Sequence, residues 1–137
     1  MLQVKRRKDG ALKRRFMFTI CFYQDTRHEA PLHWVQKILG IGYLSRRRDG
    51  MTELRVNGYE QVARIMELLL PFLKFKKRQA QAMYRAAKLL MRVNRRRLTP
   101  RQLAVLAELI LVIQAENYVT KKKKTMAELL RMFGLTP

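Results

Sequence analysis

The sequence has few acidic residues, one cysteine and no long apolar run, and each shortage narrows the class of protein. Ten Asp and Glu stand against 30 Lys and Arg in 137 residues, giving a formal net charge of +20. This charge predicts a polyanionic partner, which nucleic acid fits best. The single cysteine, Cys21, excludes an intramolecular disulfide and a multi-cysteine metal site, and it suits a reducing compartment.

The apolar residues predict a folded core and no membrane partner. No apolar run approaches the roughly 18 residues of a membrane span, and the basic N-terminus is not followed by the apolar stretch of a secretory signal. We therefore expect a soluble, intracellular protein of the cytoplasm or an organelle. With 48% hydrophobic residues, the length allows one substantial core. We place an α+β core at residues 1–93 and a helical extension at residues 94–137.

The first part of the chain alternates with the two-residue period of β-strands. Residues 1–7 and 15–24 alternate around an Asp9-Gly10 turn, and residues 41–48 and 51–56 do so around Asp49-Gly50, which predicts two hairpins. Side chains alternate across a strand, so one face of the second strand is apolar and faces the core. That face carries Phe16, Phe18, Ile20 and Phe22.

Helical spacing follows each hairpin and continues to the C-terminus. Leu32, Val35, Ile38 and Leu39 predict a helix that ends at Gly40. We expect later helices to begin at an Asn57 cap, after the basic residues near position 76, at Thr99-Pro100 and at Thr125. The order predicts an α+β fold: a four-stranded antiparallel sheet of two hairpins with helices on one face.

The other face of this sheet combines long hydrogen-bond donors with hydroxyl groups. Such side chains suit phosphates and base edges, and a twisted β-ribbon can enter the major groove of DNA. Glu53 is the one acidic residue predicted on this face, whereas a solvated face usually mixes both signs of charge. We therefore interpret the face as a nucleic-acid surface. The predicted DNA-binding residues are Gln3, Lys5, Arg7, Arg15, Met17, Thr19, Cys21, Tyr23, Tyr43, Ser45, Arg47, Glu53 and Arg55.

Three separated segments resemble the LAGLIDADG homing endonucleases, in the group encoded in introns of ribosomal RNA genes. Residues 16–24 read FMFTICFYQ, residues 39–43 read LGIGY and residues 70–80 read LPFLKFKKRQA. Their order and intervals cover residues 1 to about 93. The resemblance implies a saddle-shaped sheet in the major groove of duplex DNA and, in the intact enzyme, a Mg²⁺-dependent cut on each strand by a homodimer or pseudo-dimer.

The resemblance also implies supporting catalytic roles and one missing element. Gln24 matches the position that orients the hydrolytic water, Lys76 matches the active-site lysine, and His28 falls where many relatives carry a basic residue. The family's helix with the metal-binding acid should precede the first strand, but the sequence begins with that strand. We therefore expect an N-terminally truncated or decayed subunit. It should bind no metal and cut no DNA unless the acidic helix is supplied.

Other functions stay open at this stage. Basic residues between Arg92 and Arg101 and from Lys121 to Lys124 also suit a maturase-like protein that binds structured RNA. A small basic structural protein without sequence preference is a third possibility. Binding to a membrane surface is disfavoured, because the basic residues lie partly on strands and not on one polar helix face.

Overall fold

The elements of the fold follow the predicted order. The computed structural model describes residues 1–6, 14–93, 97–117 and 123–136; the Asp9-Gly10 turn lies outside them. The sheet contains β1 (Leu2–Arg6), β2 (Arg14–Asp25), β3 (Tyr43–Arg46) and β4 (Met51–Asn57). A 3-10 turn (Thr26–His28) links β2 to the first helix. The helices are α1 (Ala30–Leu39), α2 (Tyr59–Leu69), α3 (Lys77–Arg92), α4 (Pro100–Ala115) and α5 (Met126–Met132).

The four strands form one antiparallel sheet in the order β1-β2-β4-β3. Each predicted hairpin is a neighbouring pair, and β2 with β4 joins the two pairs in the middle. This arrangement confirms the α+β fold with its four-stranded sheet. No helix in the described part of the chain is long and apolar enough to cross a bilayer.

The hydrophobic core lies between the inner face of the sheet and the helices. Phe18, Ile20 and Val56 are buried on the sheet, and α2 lies against β2 and β4. The α3 helix packs against both α2 and α4. The C-terminal helices join the same core, since the rings of Phe133 and Phe16 lie 5.6 Å apart. The boundary at residue 93 stays a prediction.

Local sequence signals account for most helix ends. Thr99 and Thr125 each form a capping box, in which the threonine hydroxyl and a side chain three residues later satisfy free backbone N–H groups. Gly40 ends α1 with φ 64°. Gly42 has φ 95°, and a Cβ atom there would lie 2.9 Å from Val56 Cγ2, so only glycine fits before β3.

Three details differ from the sequence predictions. Asn57 does not cap α2: it belongs to β4 and accepts a bond from Thr19, and Gly58 takes the cap position. Ile38 is 62% exposed, because it lies about 120° around the helix from Leu32 at 3.6 residues per turn. The third strand spans residues 43–46 and not 41–48.

Candidate nucleic-acid interface

The strand register places the predicted binding residues in rows on the outer face of the sheet. Cys21 lies opposite Arg55, which lies opposite Tyr43, and the next row contains Tyr23, Glu53 and Ser45. On the outer pair of strands, Lys5 faces Arg15 and Gln3 faces Met17. Alternation along the strands therefore identified this face correctly. Arg7 lies outside the described residues.

The rows differ in how much of each side chain reaches the surface. Tyr23 and Tyr43 are about half exposed. Eight further predicted residues reach the surface, in two groups: the exposed ones are Gln3, Lys5, Arg15 and Arg47, and the half-buried ones are Met17, Cys21, Ser45 and Arg55. These ten side chains, tyrosines included, form the outer face that a ligand can reach.

Two members of the predicted set are buried, so the expectation that they lie on the accessible surface is wrong. Thr19 is 2% exposed and Glu53 is 5% exposed. The Thr19 hydroxyl donates to Asn57 Oδ1 at 2.8 Å, which satisfies it within the sheet. Glu53 Oε1 lies 2.7 Å from Arg55 Nη2, so its carboxylate is neutralised by the neighbouring residue of its own strand face.

Arginines on this face are held by carboxylates and by an aromatic ring. Arg47 Nη2 lies 2.7 Å from Asp49 Oδ2, and its guanidinium lies 5.8 Å from the centre of the Tyr23 ring. The Arg55 Nε is buried and has no hydrogen-bond partner among the described residues. A hydrogen bond with Cys21, followed by partial burial, raises the pKa of Tyr23 to about 12. Tyr23 is therefore a neutral hydroxyl at physiological pH.

Gln24 and His28 lie at one end of β2, where the strand passes into the 3-10 turn. Gln24 is half-buried and pairs in register with Thr52. His28 is the exposed last residue of the turn. The preceding Asp25 accepts bonds from the Arg27 backbone and side chain, and this contact holds the pKa of Asp25 well below its usual range.

Lys76 lies immediately before α3 in an unusual backbone conformation. It has φ 53° and ψ 26°, in the left-handed region that side chains other than glycine enter at a cost. Its side chain is exposed. Burial, opposed by Cys21 and assisted by Lys76, lowers the pKa of the Met1 amino group to about 6. No hydrogen bond or ion pair within the described residues joins Lys76 to Gln24 or His28.

The available carboxylates do not fit a magnesium site. Mg²⁺ requires several oxygen ligands in near-octahedral geometry. Within residues 1–6, 14–93, 97–117 and 123–136, no three His, Cys, Asp or Glu side chains come together to hold a metal. Near Gln24, the carboxylates of Asp25 and Glu29 are occupied by Arg27 and Arg46. We therefore derive no metal-dependent step from these residues.

Sequence reasoning missed a polar cluster beneath this end of the sheet, built from Glu29, Arg46 and Thr52. Glu29 accepts bonds from the Arg46 guanidinium and from the Thr52 hydroxyl. Arg46 and Thr52 share the strand face of Leu44 and Leu54, where apolar residues are expected. These two polar residues on an otherwise apolar strand face were the sequence signal that could have predicted the cluster.

Comparison with known proteins identifies the family. No protein-family model matches the sequence. The DNA endonuclease I-CvuI of Chlorella vulgaris is 31% identical over 131 residues, which cover 94% of this chain and 77% of I-CvuI. A crystal structure of homing endonuclease I-CvuI with its target, in the presence of 2 mM Ca, has a TM-score of 0.71 at 29% identity, over 99% of this chain and 86% of that chain.

Two further solved structures share the fold at lower identity. The archaeal intron-encoded homing endonuclease I-Vdi141I complexed with DNA has a TM-score of 0.79 at 20% identity, over 97% of this chain and 84% of that one. The LAGLIDADG homing endonuclease I-SmaMI bound to cleaved DNA has a TM-score of 0.74 at 16% identity, over 98% of this chain and 43% of that one. The similarity to I-CvuI extends over nearly all of the sequence, so the chain belongs to the LAGLIDADG homing endonuclease family.

Proposed function

We propose that the chain binds double-stranded DNA sequence-specifically, as a subunit of the homing endonuclease type. The observation that carries this proposal is the outer face of the sheet, where register brings arginines, tyrosines and shorter polar groups into rows. The relative I-CvuI, of similar fold, is seen in complex with its target. The charge of +20 supplies the attraction to phosphates that any such complex needs.

The geometry suits reading of base edges in the major groove. Arginine recognises guanine by two parallel hydrogen bonds, so its planar group must be presented in a defined orientation. Asp49 and Glu53 hold Arg47 and Arg55 in such orientations before DNA arrives. The hydroxyls of Tyr23 and Tyr43 lie beside them and can donate or accept.

We assign Gln24, His28 and Lys76 supporting roles in a cleavage-competent form. The Lys76 ammonium would stabilise charge that develops on a phosphate, and Gln24 and His28 would orient groups at the end of β2. Hydrolysis itself would need Mg²⁺ and acidic ligands, which the described residues do not bring together. The function proposed for this chain is therefore binding.

We also propose that two such subunits bind one duplex. The structural match to I-SmaMI covers 98% of this chain but only 43% of the I-SmaMI chain. A single chain of I-SmaMI therefore has room for two folds of this kind. Phe72 and Phe75, in the segment before Lys76, are 81% and 86% exposed. Aromatic groups this exposed favour association over a free monomer.

The decisive experiment is selection of duplexes from a randomised library, followed by binding measurements. Fluorescence anisotropy would compare the enriched duplex, a scrambled duplex of the same composition and a structured RNA at fixed salt. We expect the enriched duplex to bind at least a hundredfold more tightly than the scrambled one, within the usual range of specificity ratios. Equal binding of both duplexes, or preference for the RNA, would refute the proposal.

A further inference from the structure

Glu29 lies at the centre of a cluster that connects four elements of the fold. It follows the 3-10 turn and precedes α1, and its side chain is only 13% exposed. The Arg46 Nε lies 3.2 and 3.1 Å from the two carboxylate oxygens, and Arg46 Nη2 also binds Oε1. The Thr52 hydroxyl lies 2.6 Å from Oε2, and His33 Nε2 lies 3.6 Å from Oε1.

The cluster is braced from the strand side as well. Thr52 Oγ1 lies 3.0 Å from Thr26 Oγ1, and the Thr26 amide donates to the Gly50 carbonyl at 2.9 Å. The β3–β4 hairpin is therefore tied to the connection between β2 and α1. Both carboxylate oxygens of Glu29 have two partners. These contacts, with Arg46 first, lower the pKa of Glu29 to about 2.

Each side of this connection carries residues to which roles are assigned above, Gln24 and His28 in cleavage and Ser45 and Arg47 in DNA binding. Gln24 pairs with Thr52, and His28 is the residue directly before Glu29. Ser45 and Arg47 flank Arg46 in sequence and point to the outer face. Arg46 itself is turned away from that face, because it lies two residues after Leu44 and so on the same side of the strand. Its guanidinium binds Glu29 while the side chain stays 71% exposed on the other side of the sheet.

We propose that Glu29 is a positioning residue for target recognition. By binding Arg46 and Thr52, it sets the β3–β4 hairpin, which carries Ser45 and Arg47, relative to the end of β2. This inference rests on the proposed DNA binding, and it adds a residue that reads no base and yet controls discrimination between sequences.

The test compares Glu29→Gln with Glu108→Gln, which removes the same charge from an exposed position on α4. The readout is the ratio of affinities for the duplex enriched by the unmodified protein and for its scrambled counterpart, on protein shown to be folded by circular dichroism. Both variants lose one negative charge and should bind scrambled DNA slightly more tightly. We expect the ratio to fall about tenfold for Glu29→Gln and to stay within twofold for Glu108→Gln.

A second variant covers the case in which Glu29→Gln does not fold. Arg46→Lys keeps the cation but loses the planar fork that binds both carboxylate oxygens. We expect it to reduce the ratio severalfold with an unchanged salt dependence. A folded Glu29→Gln or Arg46→Lys protein with the original ratio would overturn the inference. A ratio near one for the unmodified protein would instead refute DNA recognition itself, so the two failures are distinguishable.

Discussion

Two regions of the molecule use positive charge in opposite ways. Residues 25–57 contain six Lys and Arg and four carboxylates, and each carboxylate is ion-paired with an arginine. Residues 70–101 contain eleven Lys and Arg and no carboxylate at all. The first region contains the end of β2 and the β3–β4 hairpin, and the second contains α3 and its flanking segments.

The difference separates orientation from attraction. An arginine held by a carboxylate has a defined direction before DNA binds, which suits discrimination between bases. Cations without a neighbouring carboxylate contribute mainly by releasing counterions, which is independent of sequence; within residues 70–101, Arg78 is instead paired with Glu116. We therefore expect the sheet region to determine where the protein binds and the acid-free region to strengthen binding everywhere.

The largest expected effect is that of salt on affinity. If the subunit neutralises roughly 6 to 10 phosphates, duplex affinity should fall about 10³ to 10⁵ fold between 50 and 200 mM salt. The double variant Lys74→Gln/Lys77→Gln should reduce the slope of log affinity against log salt by about two. Anisotropy titrations at four salt concentrations would measure this. A slope near zero for the unmodified protein would contradict the electrostatic role of the basic residues.

Sequence discrimination should depend on the paired arginines. Arg47→Ala or Arg55→Ala should weaken binding by about 1 to 3 kcal/mol at particular base pairs of the enriched duplex, because we propose that each guanidinium bonds a defined base edge. Lys77→Ala should weaken binding to all duplexes alike. Single-substitution panels of the duplex would show the contrast. Identical profiles for the arginine and lysine variants would eliminate the distinction between the two regions.

The stability of the acid-free region should depend on capping and core packing. Thr99→Ala removes the hydroxyl that accepts from the Gln102 amide, and it should lower the free energy of unfolding by about 1 kcal/mol. Thr136→Ala, beyond α5 and exposed, is the matched control and should have little effect. Urea unfolding would measure both. If the two variants are equally stable, the capping box of α4 contributes nothing measurable.

Acid should act first on the paired region. The pKa of Glu29 falls from 4.5 to about 2 on folding, so its ionised form favours the folded state. That stabilisation is complete above pH 4.5 and is lost as the pH falls towards 2. Glu29→Gln should therefore show a smaller drop in urea midpoint between pH 5 and pH 3 than the unmodified protein. An unchanged drop would show that Glu29 does not contribute to acid sensitivity.

The sequence alone predicted the features that depend on local chemistry. Two turn dipeptides and strict alternation predicted both hairpins, and Thr99 and Thr125 predicted two helix starts that the structure confirms. The outer face was predicted as well, since alternation determines which side a strand residue occupies. The roles assigned to Gln24, His28 and Lys76 stay predictions.

Local sequence patterns did not predict the features that depend on residues distant in the sequence. Alternation gave the side of Thr19 and Glu53 but not their burial, which follows from contacts with Asn57 and Arg55. Asn57 resembled a helix cap in the sequence, but its side-chain oxygen instead accepts a hydrogen bond from Thr19, 38 residues earlier. The residues around Asn57 give no sign of this distant partner. The cluster around Glu29 likewise joins residues 17 to 23 positions apart.

The left-handed backbone of Lys76 has a consequence for anyone who stabilises this protein by design. In the described part of the chain, Lys76 is the one residue other than glycine with a positive φ, and that conformation costs about 1 to 2 kcal/mol for a residue with a Cβ atom. A search for thermostability would choose Lys76→Gly early and would be rewarded with a higher melting temperature. The same substitution would remove the ammonium that we propose stabilises charge on a phosphate in a cleavage-competent form. Selection for stability alone would thus preserve the fold and discard a residue proposed for cleavage.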